Sequence, residues 1–183
     1  MTRFVAAFAL LATLLVGLGS ASAADPENTL YLDLKYGRVV IELRPDLAPN
    51  HVKRIKELVR QGFYDGVPFH RVIPGFMAQT GDPTGTGRGG SGRNLKAEFS
   101  NEPHVRGTVS MARASDPDTA DSQFFICFAD APFLNGKYTV WGRVVEGMEF
   151  VDQIQKGDEA DNGVVPEDKR DKIIKMQVAA DAK

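Results

Sequence analysis

Apolar and polar residues alternate along the first stretch that reads as folded chain. Leu30, Leu32 and Leu34 are interleaved with Tyr31, Asp33 and Lys35. After Tyr36-Gly37 the same two-residue period resumes at Val39, Ile41 and Leu43. Side chains of a strand point alternately to opposite faces, so this predicts a hairpin over 30–44 with one buried face. The period then changes to three and four at Ala48, Val52, Ile55 and Val59. That spacing predicts an amphipathic helix with Pro49 in its first turn, Gly62 at its stop, and Lys53, Lys56, Glu57 and Arg60 on a solvated face. Phe69 to Asp82 reads as two short strands joined at the turn-forming pair Pro74-Gly75. Alternation puts Phe69, Arg71 and Ile73 on one face of the first strand, so His70 points away from Arg71 and is expected to be structural. On the second strand Phe76, Ala78 and Thr80 share a face opposite Met77 and Gln79. Barrel twist can still bring Arg71, Phe76, Met77 and Gln79 toward one groove, which alternation alone does not establish.

Further strands are predicted over 109–112 and 124–128, the second almost wholly apolar and therefore central. Asn135-Gly136 is a turn leading to a strand over 138–144. Met148, Val151 and Ile154 have helical spacing, giving a second short helix stopped near Gly157. The stretch 157–171 is polar and turn-rich, and Ile174, Met176 and Val178 alternate as a closing strand. Many short strands and two helices, in no βαβ order, predict a mainly β protein: an antiparallel barrel with covered ends.

The N-terminus does not belong to that pattern. Arg3 supplies a positive region, Phe4 to Leu18 an apolar run, and Ala21-Ser22-Ala23 a small-residue cleavage site. Residues 1–23 therefore read as a cleavable signal peptide and 24–183 as a single domain. The alternative is an uncleaved anchor, but the apolar run is short for a span and lacks a positive stop-transfer flank. Cleavage before Ala24 removes Arg3, taking the formal charge of −2 to −3 and leaving no membrane span. The expected location is exported, with the periplasm favoured over full secretion by the bacterial-type leader.

Composition narrows the chemistry. With a net charge of −2 and pI near 5.9, the chain lacks the basic footprint of a nucleic-acid binder. The single cysteine, Cys127, lies in an apolar run and reads as a small buried hydrophobe. His51 and His104 have no partner at metal-ligand spacing, so neither a metal nor a cofactor is expected. Gly85, Gly87 and Gly90 fit G-x-G-x-x-G, but no helix pattern follows and no βαβ repeat surrounds them. A mobile surface loop bordering a groove is the better reading of 84–92.

The run Phe69-His70-Arg71-Val72-Ile73-Pro74-Gly75-Phe76-Met77-Ala78-Gln79-Thr80-Gly81-Asp82 resembles the hallmark of the cyclophilins, which are peptidyl-prolyl cis-trans isomerases. Gly107-Thr108-Val109-Ser110-Met111-Ala112 and Ser122-Gln123-Phe124-Phe125-Ile126-Cys127 follow in the family's order, and the likeness runs from about Thr29 to Val178. It implies a closed eight-stranded antiparallel β-barrel capped by two α-helices. It also implies catalysis of rotation about X-Pro bonds, with proline-containing peptides and folding proteins as partners. Here that would assist the folding of exported proteins.

Rotation about an X-Pro bond breaks no bond; its barrier, roughly 20 kcal/mol, is lost amide resonance. A catalyst must bind the twisted amide, whose proline nitrogen is pyramidal and basic, better than either planar form. The resemblance assigns Arg71 as the catalytic arginine and Gln79 as the side chain that orients it. Phe76, Met77, Phe125 and Leu134 match the pocket for the proline ring, with Ala112 and Gln123 beside the peptide. Phe133 and Tyr138 complete the wall. Without the resemblance, Arg71 would read as a surface ion pair, and Phe69, Phe124 and Phe125 alike as core.

Three positions depart from common family residues. Phe133 replaces a frequent tryptophan, removing an indole donor that contacts cyclosporin, so weak cyclosporin binding is expected. Tyr138 replaces a frequent histidine and preserves an aromatic wall. Arg113 replaces a frequent asparagine, and its long charged chain bears on which residue is preferred before proline. A holdase using the same groove without turnover is the competing class, against which an intact Arg71, Phe76 and Gln79 argue. A surface-loop interaction protein finds no support in the sequence.

Overall fold

The computed structural model describes residues 25–183; the expected leader, 1–23, lies outside the described residues. Its first strands are β1 (Thr29–Leu34) and β2 (Gly37–Leu43), the predicted hairpin, with Leu30 opposite Ile41 and Leu32 opposite Val39. All six alternating apolar residues of this hairpin are buried. Helix α1 (Pro49–Arg60) follows, and buries Val52, Ile55, Leu58 and Val59 beside the last strand. Its charged face is partly tied down: Lys56 and Arg60 pair with Glu27, and Arg60 with Asp181.

The next strands are β3 (Arg71–Ile73), β4 (Met77–Thr80), β5 (Thr108–Met111), β6 (Phe124–Cys127) and β7 (Val140–Glu146). Helix α2 (Met148–Val151) is one turn, shorter than its apolar spacing predicts, and begins at Gly147 with φ 81°. A Cβ at Gly147 would stand 2.4 Å from the Arg38 carbonyl oxygen, so glycine lets α2 start against β2. Strand β8 (Lys175–Val178) ends the sheet. Met176 and Val178 are buried as predicted, but Ile174 precedes the strand and is 59% exposed, a departure from the alternation.

All eight strands form one antiparallel sheet in the order β3-β4-β6-β5-β7-β2-β1-β8. The sheet curls into a half-barrel and does not close as expected: β3 and β8 are its two ends. The physical reason lies at β3. Its outer edge is already occupied by the 157–165 segment, through Gly157 N–H to Val72 O (2.9 Å), Val72 N–H to Gly163 O (2.7 Å) and Val165 N–H to His70 O (3.0 Å). That cover also shields an edge strand from stray pairing. The seam is stitched instead by irregular chain, with Phe69 N–H donating to Asp171 O and Ile173 N–H to Val67 O.

Inside the curl, Leu30, Leu32, Ile41, Ile55, Phe124, Ile126 and Trp141 pack in the main core. Burying each such side chain contributes about 1.5–3 kcal/mol. A second cluster, Met77, Phe125, Cys127, Ala131 and Leu134, sits on the opposite face of the sheet. This explains why β6 is apolar throughout. Phe124 and Ile126 join the main core, whereas Phe125 and Cys127 join the outer cluster.

Candidate active site

The outer cluster floors a cavity of about 690 Å³, within the size range of peptide and ligand sites. The β3–β4 hairpin supplies its polar edge. Arg71 lies directly opposite Gln79, and Ile73 opposite Met77. Ala78 and Thr80 turn into the protein, which sends Met77 and Gln79 outward. Phe76 belongs to the turn before β4 and also reaches the cavity.

Three bonds fix the Arg71 guanidinium. Nη1 donates to Gln79 Oε1 at 3.1 Å, Nε to the Asn162 carbonyl at 3.0 Å, and Nη2 to Asn162 Oδ1 at 2.9 Å. Asn162 presents both oxygens from a left-handed backbone (φ 52°), a conformation asparagine tolerates better than most residues. A guanidinium has five N–H donors, so one remains free on each terminal nitrogen. Burial lowers the Arg71 pKa from the ordinary arginine value, partly offset by Tyr138, and the group stays charged at neutral pH.

The apolar side is built from three elements. Met77 and Phe125 come from β4 and β6, and Leu134 from the 3-10 turn Pro132–Leu134. Tyr138 stands edge-on to Phe125, with centroids 5.9 Å apart, and Phe133 leans on Phe76 at 5.3 Å. Ala112 lines the wall just past β5. Behind Phe125, the buried His104 ring stacks at 6.2 Å, with Nε2 3.0 Å from Ser110 Oγ and Nδ1 3.2 Å from Asn135 Oδ1. Burial lowers the His104 pKa from its ordinary value. The Cys127 thiol is pushed up to about 12 by burial, so it is not a nucleophile at neutral pH.

The glycine-rich loop forms the remaining border, through Gly85, Thr86 and Gly87. Buried Asp82 organises it. Oδ1 accepts from the Thr84 N–H and hydroxyl (both 2.8 Å), and Oδ2 from the N–H groups of Gly87 (2.7 Å) and Gly89 (3.0 Å). Burial by itself raises this carboxyl's pKa, but the donors from Thr84, Gly89 and Gly87 outweigh it and bring the value to about 2. Gln123 ties the loop to the hairpin: its Oε1 accepts from Gln79 Nε2 at 2.9 Å, and its Nε2 donates to the carbonyls of Gly87 and Gly89.

Arg71, Gln79, Phe76, Met77 and Ala112 therefore share one cavity with Phe125, Phe133, Leu134 and Tyr138. Gln123 lies in the adjoining hollow and reaches that cavity through Gln79. His70 is a correction. It lines the same cavity as Arg71, because Phe69-His70 precedes β3 and strand alternation does not govern it. Sequence reasoning missed Asn162, His104, Lys137 and Arg170. For Asn162 the signal was the Asn162-Gly163 pair, a turn dipeptide in a stretch read only as polar.

Residues 29–178 match the family model for cyclophilin type peptidyl-prolyl cis-trans isomerase/CLD. A probable peptidyl-prolyl cis-trans isomerase of Brucella suis biovar 1 (strain 1330) is 58% identical over 98% of this chain and 96% of its own. Peptidyl-prolyl cis-trans isomerase B of Bacillus subtilis (strain 168) is 47% identical over 72% of this chain and 93% of its own. Among solved structures, cyclophilin AquaCyp293 from Hirschia baltica superposes with a TM-score of 0.77 at 31% identity, covering 87% of this chain and 77% of that one. A Cryptosporidium parvum cyclophilin type peptidyl-prolyl cis-trans isomerase, crystallised in the presence of the dipeptide Ala-Pro, gives 0.74 at 33% identity, covering 82% and 98%. With its curled eight-stranded sheet and the arginine-edged apolar cavity on its outer face, this chain belongs to the cyclophilin-type peptidyl-prolyl cis-trans isomerases.

Proposed function

We propose that the cavity holds the proline ring of a peptide against Phe125, Met77 and Leu134 while Arg71 stabilises the twisted X-Pro bond. The observation that carries this reading is the state of Arg71. It is a charged guanidinium locked by three bonds, with two N–H donors unspent, beside an apolar floor. As the amide twists, the nitrogen lone pair is no longer shared with the carbonyl and localises on the proline nitrogen, and a fixed donor there binds the transition state better than either planar form. A hundred-thousandfold acceleration requires about 7 kcal/mol of such preference. The rigid anchoring matters because a mobile arginine would follow the ground state as well. No proton transfer or covalent bond enters the step.

The setting we infer is an exported one, with nascent or unfolded exported proteins as clients and the periplasm as the compartment. Its support is the sequence of residues 1–23, a positive start, an apolar run and Ala21-Ser22-Ala23. Weak cyclosporin binding belongs to the same reading, because Phe133 offers no N–H at the cavity rim. Exchange NMR on a proline peptide with wild type and Arg71→Ala tests the catalytic assignment. Intact mass of protein from an exported fraction tests the setting: a start at Ala24 supports it, and retention of Met1 to Ala23 contradicts it.

A further inference from the structure

The rim of the cavity carries charge of one sign. Arg71, Arg113, Lys137 and Arg170 line it, and no aspartate or glutamate does. The chain as a whole is slightly acidic, with 24 Asp+Glu against 22 Lys+Arg, so this bias is local. Of the other arginines among the described residues, Arg38, Arg44, Arg54, Arg60, Arg93 and Arg106 each pair with a carboxylate, whereas Arg88 and Arg143 do not. Among the described residues, Arg71, Arg113, Lys137 and Arg170 form no salt bridge.

These cations are instead held by neutral oxygens, side-chain amide oxygens and a backbone carbonyl for Arg71 and backbone carbonyls for the other three, which orient a charge without cancelling it. Arg113 donates Nε and Nη2 to the Lys137 carbonyl (3.2 and 2.9 Å) and Nη1 to those of Ala114 and Ser115, lying 4.6 Å above the Tyr138 ring. Lys137 Nζ donates to the Phe133 carbonyl at 3.2 Å. Arg170 Nε donates to the Val165 carbonyl at 2.8 Å, and its guanidinium covers Gly85, where a Cβ would lie 2.7 Å from Nη1. Two acids lie nearby but outside the cavity's lining. Asp82 is buried under the loop's N–H groups, and Asp121, in the adjoining hollow, accepts from the N–H groups of Ser91, Gly92 and Arg93. A concave apolar site rimmed by fixed charges of one sign focuses their field on whatever enters.

We infer that this groove selects proline peptides with an aspartate or glutamate flanking the proline, over neutral ones, and disfavours those with lysine or arginine there. The inference rests on the proline-peptide reading of the cavity, and names Arg113 and Arg170 as its specificity-determining residues.

The test uses three peptides that differ only in the residue before proline, and in a second set only in the residue after it: Glu, Gln or Lys. NMR titration gives each Kd and exchange spectroscopy each catalysed rate. At low salt the Glu peptide of at least one set should bind about fivefold to tenfold tighter than the Gln peptide, with the Lys peptide weakest. Raising the salt should compress the series. The Arg113→Gln, Arg170→Gln double variant should bring the Glu-to-Gln Kd ratio close to one. Equal Kd values across both sets, or a ratio untouched in the double variant, would overturn the inference even with turnover intact. Loss of turnover with every peptide would instead strike the catalytic reading, and the Kd series would still decide the charge preference.

Discussion

Arg71 and Gln79 face each other across the β3–β4 ladder, and the Nη1 of one donates to the Oε1 of the other at 3.1 Å. From Gln79 the chain of bonds continues through Gln123 to the carbonyls of Gly87 and Gly89, the two residues whose N–H groups donate to Asp82. At its other end Arg71 rests on Asn162. Arg71 thus sits in a continuous polar relay that binds a hairpin, a glycine-rich loop and the cover of the β3 edge into one frame.

Asn162 is the anchor most easily tested. Asn162→Gly keeps the left-handed backbone and its carbonyl acceptor but deletes Oδ1. Asn162→Ala also deletes Oδ1 but keeps a Cβ at φ 52° without asparagine's tolerance of that region, which costs about 1–2 kcal/mol relative to the glycine variant. Exchange rates should fall about threefold to tenfold in the glycine variant and further in the alanine one, with peptide affinity changed less. NMR exchange and urea unfolding, measured together, separate loss of orientation from loss of stability. A glycine variant as fast as wild type would show that the Asn162 side chain is dispensable.

Asp82 makes the loop's stability depend on acid. Its folded pKa of about 2 lies below the ordinary 3.8, so the carboxylate's contribution is present above pH 3.8 and is lost as pH falls toward 2. The shift corresponds to on the order of 2 kcal/mol. Asp82→Asn removes that dependence at a cost, since either amide orientation sets an NH₂ against backbone or hydroxyl donors. Urea midpoints between pH 2 and 5 should drop more steeply for wild type than for Asp82→Asn. Parallel curves would show that Asp82 is not the acid-sensitive group.

Phe133 is 59% exposed at the cavity rim and leans on Phe76. Phe133→Trp restores an indole donor at that rim and should tighten cyclosporin inhibition about tenfold, the worth of one well-placed hydrogen bond. An unchanged inhibition constant would mean that other groove residues set the affinity.

Periodicity made the elements legible: the β1–β2 hairpin, α1 and β6 all lie where apolar spacing puts them, because each buries one continuous face. What it could not show was closure, since the 157–165 segment that covers β3 is polar and pairs through backbone groups that carry no side-chain pattern. The site was legible through the family run, and Arg71, Phe76, Met77 and Gln79 do line one cavity. His70 was misplaced because strand alternation was extended two residues before β3 begins. Asn162 and Arg170 are far from Arg71 in sequence and reach the site by loop geometry, which local pattern does not encode.

The central claim is that Arg71 acts on the twisted bond and Phe125 on the bound ring. Exchange spectroscopy on one proline peptide, giving both Kd and catalysed cis-trans rate, tests it most directly. Arg71→Ala should slow exchange at least about a hundredfold while Kd moves far less. Arg71→Lys, which keeps the charge but loses the planar fork, should recover part of the rate. Phe125→Ala should weaken binding and rate together. A folded Arg71→Ala variant that exchanges the peptide as fast as wild type would contradict the account.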